Sequence, residues 1–237
     1  MAVEEWEIRV TNELLAWIKA LDERTRTQVV DAIDRLAEAG PALGRPLVDS
    51  IAGAAVHNLK ELRPGSAGRT EVRILFAFDP WRSAILLTGG DKSGDWQGWY
   101  RRAIPARRAT VRGIPQRARG GDGRGTMTNF PRWQDVRDDI VAGAGGEQAV
   151  AGARHRNQAY IDGHRLAERR KALGLTQAEV AERMSVTKSR VSQIERGEVS
   201  TIEAVARYVQ AIGGRIQISA VFGDDLYILR GTVTEAA

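Results

Sequence analysis

Between Leu175 and Gly197 the chain spells two short helices meeting at a tight turn, a pattern that few folds accept. Thr176 is placed to cap the first helix, and Glu179 three residues later closes a capping box. Val180, Ala181 and Met184 then lie along one apolar stripe. Met184, Ser185 and Val186 supply the turn, and Thr187 is a second N-cap. On the second helix Val191 and Ile194 face a core, which leaves Lys188, Ser189, Arg190, Ser192 and Gln193 outside. Two helices joined by a turn of three or four residues form a helix-turn-helix unit, whose second helix enters the DNA major groove.

The spacing of Gln177, Ala181 and Val191 resembles the Cro/repressor-type (XRE) regulators. Ala181 is small where the two helices would cross closely. The resemblance implies a phosphate contact for Gln177 and base-facing positions for Lys188, Ser189, Ser192 and Gln193. Thr187 sits at the groove end of the same helix, and Arg190 can serve backbone or base. Ser185 departs from the family, which usually has glycine there. A left-handed non-glycine residue costs roughly 1–2 kcal/mol, so a strained turn is expected.

The net charge of +5 looks like a nucleic-acid signature until its distribution is read. Residues 1–100 carry 12 Lys and Arg against 15 Asp and Glu, and residues 127–237 carry 15 against 14. The excess lies in residues 101–126, with eight arginines and one aspartate. That stretch has two prolines, five glycines and no apolar period, so it cannot order itself by burial. Met127-Thr-Asn-Phe follows it like the start of a separate protein. The expectation is therefore two modules across an Arg/Gly-rich linker at 106–126, a seam of two reading frames or a linker that also grips phosphates. There is no cysteine, so thiolate metal sites and thiol nucleophiles are excluded. No apolar run suggests a membrane span, and the acidic Glu4-Glu5-Trp6-Glu7 start is unlike a secretory signal. A cytoplasmic protein without a membrane role is expected.

Residues 1–105 read as a small α+β domain. Trp6 to Val10 alternates like a strand, and Leu14, Leu15, Ile18 and Leu21 recur at helical spacing. Val29, Val30, Ile33, Leu36 and Ala37 mark a second helix, ended by Gly40-Pro41. Strands follow at 56–62, 71–78 and 84–88, then a short aromatic helix at 94–100. Within these elements, His57-Asn-Leu-Lys-Glu-Leu-Arg-Pro, Glu71-Val-Arg-Ile-Leu-Phe-Ala-Phe-Asp and Leu86-Leu-Thr-Gly-Gly-Asp-Lys resemble RelE/HigB-type toxins. The resemblance implies a RelE-like antiparallel sheet with two helices and a metal-independent, mRNA-cleaving endoribonuclease acting on the ribosome. Such toxins are encoded beside XRE-type antitoxins, so each half supports the other.

RNA cleavage of this kind needs an activated 2′-hydroxyl, a stabilised phosphate charge and a proton for the leaving oxygen. The candidate residues are Lys60, Arg63, Arg73, Lys92 and Tyr100, with Trp96 or Trp99 to stack a base. Strand alternation puts Lys60 with Asn58 and Leu62, and Glu61 with Arg63 on the opposite face. Each has a plainer reading: Lys60 and Arg63 as solvated strand faces, Arg73 as an ion-pair partner of Glu71, the aromatics as core. The scattered histidines His57, His155 and His164 offer no metal site, and no cofactor is called for. The Arg-rich seam replaces the ordered tail of related toxins, which also admits a dead toxin remnant on a DNA-binding repressor.

Residues 127–160 read as an antitoxin arm, with 130–155 the part that covers a toxin and 140–153 a weak, Ala/Gly-rich helix. The helix-turn-helix domain spans 161–213, mainly α, with a first helix from Leu166 to Leu173 and a last one capped by Ser200. That last helix turns Ile202, Val205, Ala206, Val209 and Ile212 inward. A β-hairpin at 214–237 is expected to make a homodimer, because an isolated two-stranded ribbon is marginal in water. The expected partners are operator DNA in two half-sites, mRNA and the ribosome, and a toxin–antitoxin contact within or between chains.

Overall fold

The protein is seen in a computed structural model that describes residues 5–51, 59–65, 71–91, 93, 98, 130–223 and 225–229. It divides into two compact units, Met1–Asn157 and Gln158–Ala237.

Unit 1 starts with β1 (Glu7–Val10), α1 (Asn12–Ala20) and α2 (Glu23–Ala39). Thr11 caps α1 through the Leu14 N–H at 3.3 Å, and Asp22 caps α2 through the Thr25 N–H at 3.0 Å. Four more strands follow: β2 (Val48–Ser50), β3 (Leu59–Leu62), β4 (Val72–Phe78) and β5 (Ser83–Asp91). The sheet order is β1-β5-β4-β3-β2. The expected meander is present as β3-β4-β5, and two features extend it. Val48–Ser50 adds an edge strand too short to show an alternation, and β1 pairs with β5 in parallel. The parallel pairing follows from α1 and α2 standing between β1 and the meander, since a helical crossover lets a strand return in the same direction.

One face of this sheet meets α1 and α2. Leu14, Ile18, Val29, Val30, Ile33 and Leu36 from the helices pack with Leu62, Ile74, Phe76 and Leu86 from the strands. Gly89 lies where Trp17 crosses β5, since a Cβ there would stand 2.4 Å from the indole ring. Trp133, Ile140, Val141 and Val150, from beyond the Arg-rich stretch, belong to the same core.

Those residues sit on α3 (Trp133–Ala142) and α4 (Gly146–Ala172). The weak helix expected at 140–153 is divided between the end of α3 and the start of α4, and the first bundle helix expected from Leu166 is the far end of the same α4, 27 residues long. Its glycines hid this continuity, because glycine weakens a helical reading by about 1 kcal/mol each. Gly163 has a packing reason: a Cβ there would lie 2.5 Å from the Ile194 carbonyl oxygen.

Unit 2 holds the last turns of α4, then α5 (Gln177–Met184), α6 (Lys188–Glu195) and α7 (Ile202–Ala211). Val180, Ala181, Met184, Val191, Ile194 and Tyr208 form its core. On α7 the N-cap is Thr201 rather than Ser200. Ile202 is 65% exposed instead of inward, because the buried face runs through Ala204, Tyr208, Ala211 and Ile212, two helical turns on one side. The hairpin pairs β6 (Ile218–Phe222) with β7 (Asp225–Leu229). Among the described residues no helix is long and apolar enough to cross a membrane, and no group of His, Cys, Asp and Glu could hold a metal ion.

Candidate functional site

Three places in the two units carry chemistry: a charged row on the toxin-like sheet, the seat of α3 and α4 on α2, and the exposed side of α6.

Cross-strand pairing aligns Asp49, Glu61 and Leu75 on the sheet face away from α1 and α2. Arg63 and Arg73 lie two residues further along β3 and β4, so the same face brings them beside Glu61. The Arg63 Nε donates to Glu61 at 2.5 Å, and its Nη2 reaches Asp49 at 2.8 Å. Arg73 stands 4.0 Å from Glu61 and 3.7 Å from Glu71. Glu61 is only 2% exposed, so this carboxylate sits between two guanidiniums at the edge of the core. Burial alone would raise the Asp49 carboxyl, yet Arg45, the Ser50 N–H and Arg63 hold it below its usual range. Lys60 pairs across the sheet with Ser50 and Phe76 on the opposite face, its Nζ 3.4 Å from Ser50 Oγ. The structure thus groups Arg63 with Arg73 and separates Lys60 from them. Lys92 and Tyr100 lie outside the described residues, as do Trp96, Trp99 and His57.

α2 presents Asp31, Asp34 and Glu38 at intervals of three and four residues, hence along one stripe. Each is met from the arm. The Trp133 indole N–H donates to Asp34 at 2.7 Å, and Arg137 grips the same carboxylate with Nε and Nη2. Arg137 also bonds Glu147, and these two partners, Glu147 first, push its pKa above the ordinary value. Arg154 donates to both oxygens of Glu38 at 3.0 and 2.9 Å. Asn157, fully buried, donates to the Gln28 carbonyl at 3.1 Å and to Asp31 at 2.8 Å, and accepts from the Gly65 N–H at 2.9 Å. Ahead of α3, the Val10 N–H donates to the Pro131 carbonyl at 3.0 Å, and Arg9 bridges Arg132 in antiparallel fashion. The arm therefore lies along the open side of β1. These contacts join residues about a hundred positions apart, so no local pattern announces them.

In unit 2 the expected caps are present. Thr176 and Glu179 form the reciprocal capping box, and Thr187 Oγ1 accepts from the Arg190 N–H at 3.2 Å. Ser185 adopts φ 53° and ψ 45°, the left-handed conformation expected of the turn. Lys188, Ser189 and Arg190 are exposed together on α6, with Ser192 and Gln193 half-buried beside them. Arg196, one turn after Ser192, donates to its Oγ at 2.7 Å and so joins the face without having been anticipated. Its signal was the i, i+4 spacing. Gln177 turns its Nε2 inward to Glu195 at 2.8 Å. Glu195 also takes Arg170 at 2.6 Å and the Tyr208 hydroxyl at 2.7 Å. Burial would raise this carboxyl, but Arg170, Tyr208 and Gln177 together hold it below its usual value. The network fixes α4, α5, α6 and α7 to one another and so sets the pitch of the exposed α6 face.

Residues 16–111 match the family model described as phage derived protein Gp49-like, and residues 163–214 match a helix-turn-helix domain. Over 91 residues the chain is 57% identical to a Mycobacterium tuberculosis (strain ATCC 25618 / H37Rv) protein named toxin HigB2, spanning 38% of this chain and 45% of that protein. It is 53% identical over 89 residues to the same organism's toxin HigB3, covering 38% of this chain and 75% of the relative. Over 103 residues it is 44% identical to antitoxin HigA3 of that organism, covering 42% of this chain and 94% of the relative. A solved structure titled DNA bound antitoxin HigA3 is 42% identical over 28% of this chain and 88% of that one, with a TM-score of 0.26. The chain belongs to the HigB toxin and HigA antitoxin families at once, a toxin-like module and a helix-turn-helix antitoxin module in one polypeptide.

Proposed function

We propose that this chain is a toxin–antitoxin fusion of type II, cytoplasmic, in which residues 130–157 neutralise the toxin-like module and α6 reads operator DNA to repress the promoter. The observation that carries this reading is the seat of the arm: four of its apolar side chains lie in the core of the toxin-like module, while Arg137, Arg154 and Asn157 meet the acidic stripe of α2. Each buried apolar side chain contributes about 1.5–3 kcal/mol before ordering costs. A separate antitoxin would bind in the same way.

The toxin-like module is an mRNA-cleaving, ribosome-dependent endoribonuclease in this reading. Arg63 and Arg73 hold the scissile phosphate, exchanging their bonds to Glu61 and Asp49 for phosphate oxygens. Lys60, Lys92 and Tyr100 are the further candidates for charge stabilisation and proton transfer. The arm and the Arg63–Arg73 row are on opposite faces of the sheet, so neutralisation works by blocking access to the substrate assembly rather than by filling the site. On the DNA side, Lys188, Ser189, Arg190, Ser192 and Gln193 face the groove, and Thr187 and Gln177 hold the ends of the helices. The hairpin exposes Val221, Phe222, Leu226, Tyr227 and Ile228, and these pair two copies for two half-sites.

The test is growth arrest. Full-length chain is expected to be harmless, Trp133→Ala with Asp34→Arg to arrest growth, and Arg73→Ala added to these to restore it. Harmless expression of a folded, arm-weakened chain would leave the second reading, a repressor with a dead toxin remnant.

A further inference from the structure

Along the seat of the arm on α2, most arginines are satisfied. Arg137 has Asp34 and Glu147, Arg154 has Glu38 and Arg35 has Asp31, while Arg26, whose Nε is also buried without a partner, still donates to the carbonyls of Gly143, Lys19 and Leu21. Arg156 differs. Among the described residues its one hydrogen bond is from Nη2 to Thr27 Oγ1 at 3.4 Å, and its Nε is buried without a partner. Arg24 lies one turn before Thr27 on the same stripe of α2, and neither it nor Arg156 has a carboxylate partner among the described residues. Thr27, 1% exposed, ties Arg156 to the backbone of Arg24, since its hydroxyl donates to the Arg24 carbonyl at 2.9 Å while accepting from Arg156. Burial first, and then the charge of Arg24, lower the pKa of Arg156. A half-buried guanidinium with an unused buried donor and a second arginine on the neighbouring turn is a costly arrangement without an anion.

We propose that Arg24 and Arg156 form a phosphate-binding site that exists only while the arm is seated on α2. Guanidinium groups match phosphate oxygens in bidentate geometry, and two of them balance a doubly charged phosphate where a single carboxylate leaves an excess. Arg24 is exposed, so the ligand enters from solvent and bridges toward the half-buried Arg156. Arg24 comes from the toxin-like module and Arg156 from the arm. A phosphate bound here favours the seated arm by mass action, which makes the site a sensor tied to the neutralised state. The ligand is a phosphate group, from a free polyphosphate or nucleotide or from an RNA backbone. The proposal rests on the seated arm, but not on whether the toxin-like module cleaves RNA, so this titration and the growth assay fail separately.

The experiment is calorimetric titration of full-length chain with sodium tripolyphosphate at fixed ionic strength. Arg24→Gln, Arg156→Gln and a control, Arg117→Gln with Arg119→Gln in the Arg-rich stretch, are run beside it, with circular dichroism melts to verify folding. One saturable site is expected, weakened about tenfold or more in each single variant and unchanged in the control. A short single-stranded RNA lacking terminal phosphates that displaces tripolyphosphate assigns the source to an RNA backbone, and failure to displace assigns it to free polyphosphate. Equal binding by folded Arg24→Gln, Arg156→Gln and the unaltered chain overturns the proposal, as does the absence of saturable binding.

Discussion

The indole N–H of Trp133 and the carboxylate of Asp34 meet at 2.7 Å, 99 positions apart in sequence. Trp133 is 4% exposed and shares the core of the toxin-like module, so one residue of the arm is both a hydrophobic plug and a hydrogen-bond donor. Trp133→Ala should destabilise unit 1 by about 3–5 kcal/mol, the usual cost of deleting a buried large aromatic. Trp133→Phe, which keeps most of the packing but leaves Asp34 short of a donor, should cost about 1–2 kcal/mol. Urea unfolding followed by circular dichroism checks both. Equal losses from the two substitutions would show that packing contributes little.

Asn157 is the polar counterpart of Trp133. Asn157→Leu removes the acceptor for the Gly65 N–H and the donor to Asp31 inside a buried contact. A loss of about 1–3 kcal/mol is expected, as for other buried groups left without partners. Hydrogen exchange at Gly65 should accelerate in the variant, and an unchanged rate would sever the arm from the loop that follows Arg63.

Glu195 ties the DNA-reading unit to acid. Its folded pKa lies below the ordinary value of 4.5, so its stabilising effect is complete above that pH and fades as pH falls through the lowered value. Unit 2 should accordingly melt progressively earlier below about pH 4.5. Glu195→Ala, which strands the buried Arg170, should cost about 3–5 kcal/mol at neutral pH and flatten the acid limb of the stability curve. A variant with the same acid limb as the unaltered chain would assign that limb to other carboxylates.

Ser185 pays for its left-handed backbone. Ser185→Gly should raise the stability of unit 2 by about 1 kcal/mol, since glycine adopts φ near +53° without a Cβ clash. Thermal melts of the variant give the sign directly, and a lower melting temperature would mean that the serine side chain offsets the strain.

Lys188→Ala with Gln193→Ala should relax operator selectivity while leaving salt-dependent, non-specific DNA binding mostly intact. Competition binding against operator and scrambled duplexes measures this. Unchanged selectivity would move base reading elsewhere, with Arg196 the next residue to alter.

Much of the fold was legible because its signals are local. The capping box at Thr176, the Val180–Met184 stripe and the apolar strand run of β4 each arise within a few residues, and each appears as expected. The same holds for the left-handed turn at Ser185. What escaped depends on distant partners. Asp31, Asp34 and Glu38 read only as a polar helix face until the arm is placed against them. The parallel pairing of β1 with β5 and the inward turn of Gln177 toward Glu195 likewise need tertiary structure. Ile202 was misplaced because α7 turns its face around Tyr208, a residue whose hydroxyl gave no hint of full burial.

The pairing of Val10 and Arg9 with Pro131 and Arg132 has a further consequence. β1 is an outer strand of the five-stranded sheet, and an outer strand with bare N–H and C=O groups is a template for self-association. The arm occupies that template. A toxin-like module stripped of residues 130–157 would expose it together with the apolar ground under Trp133 and Ile140, and would be prone to aggregate. In this chain the arm is also the cover of an exposed sheet edge.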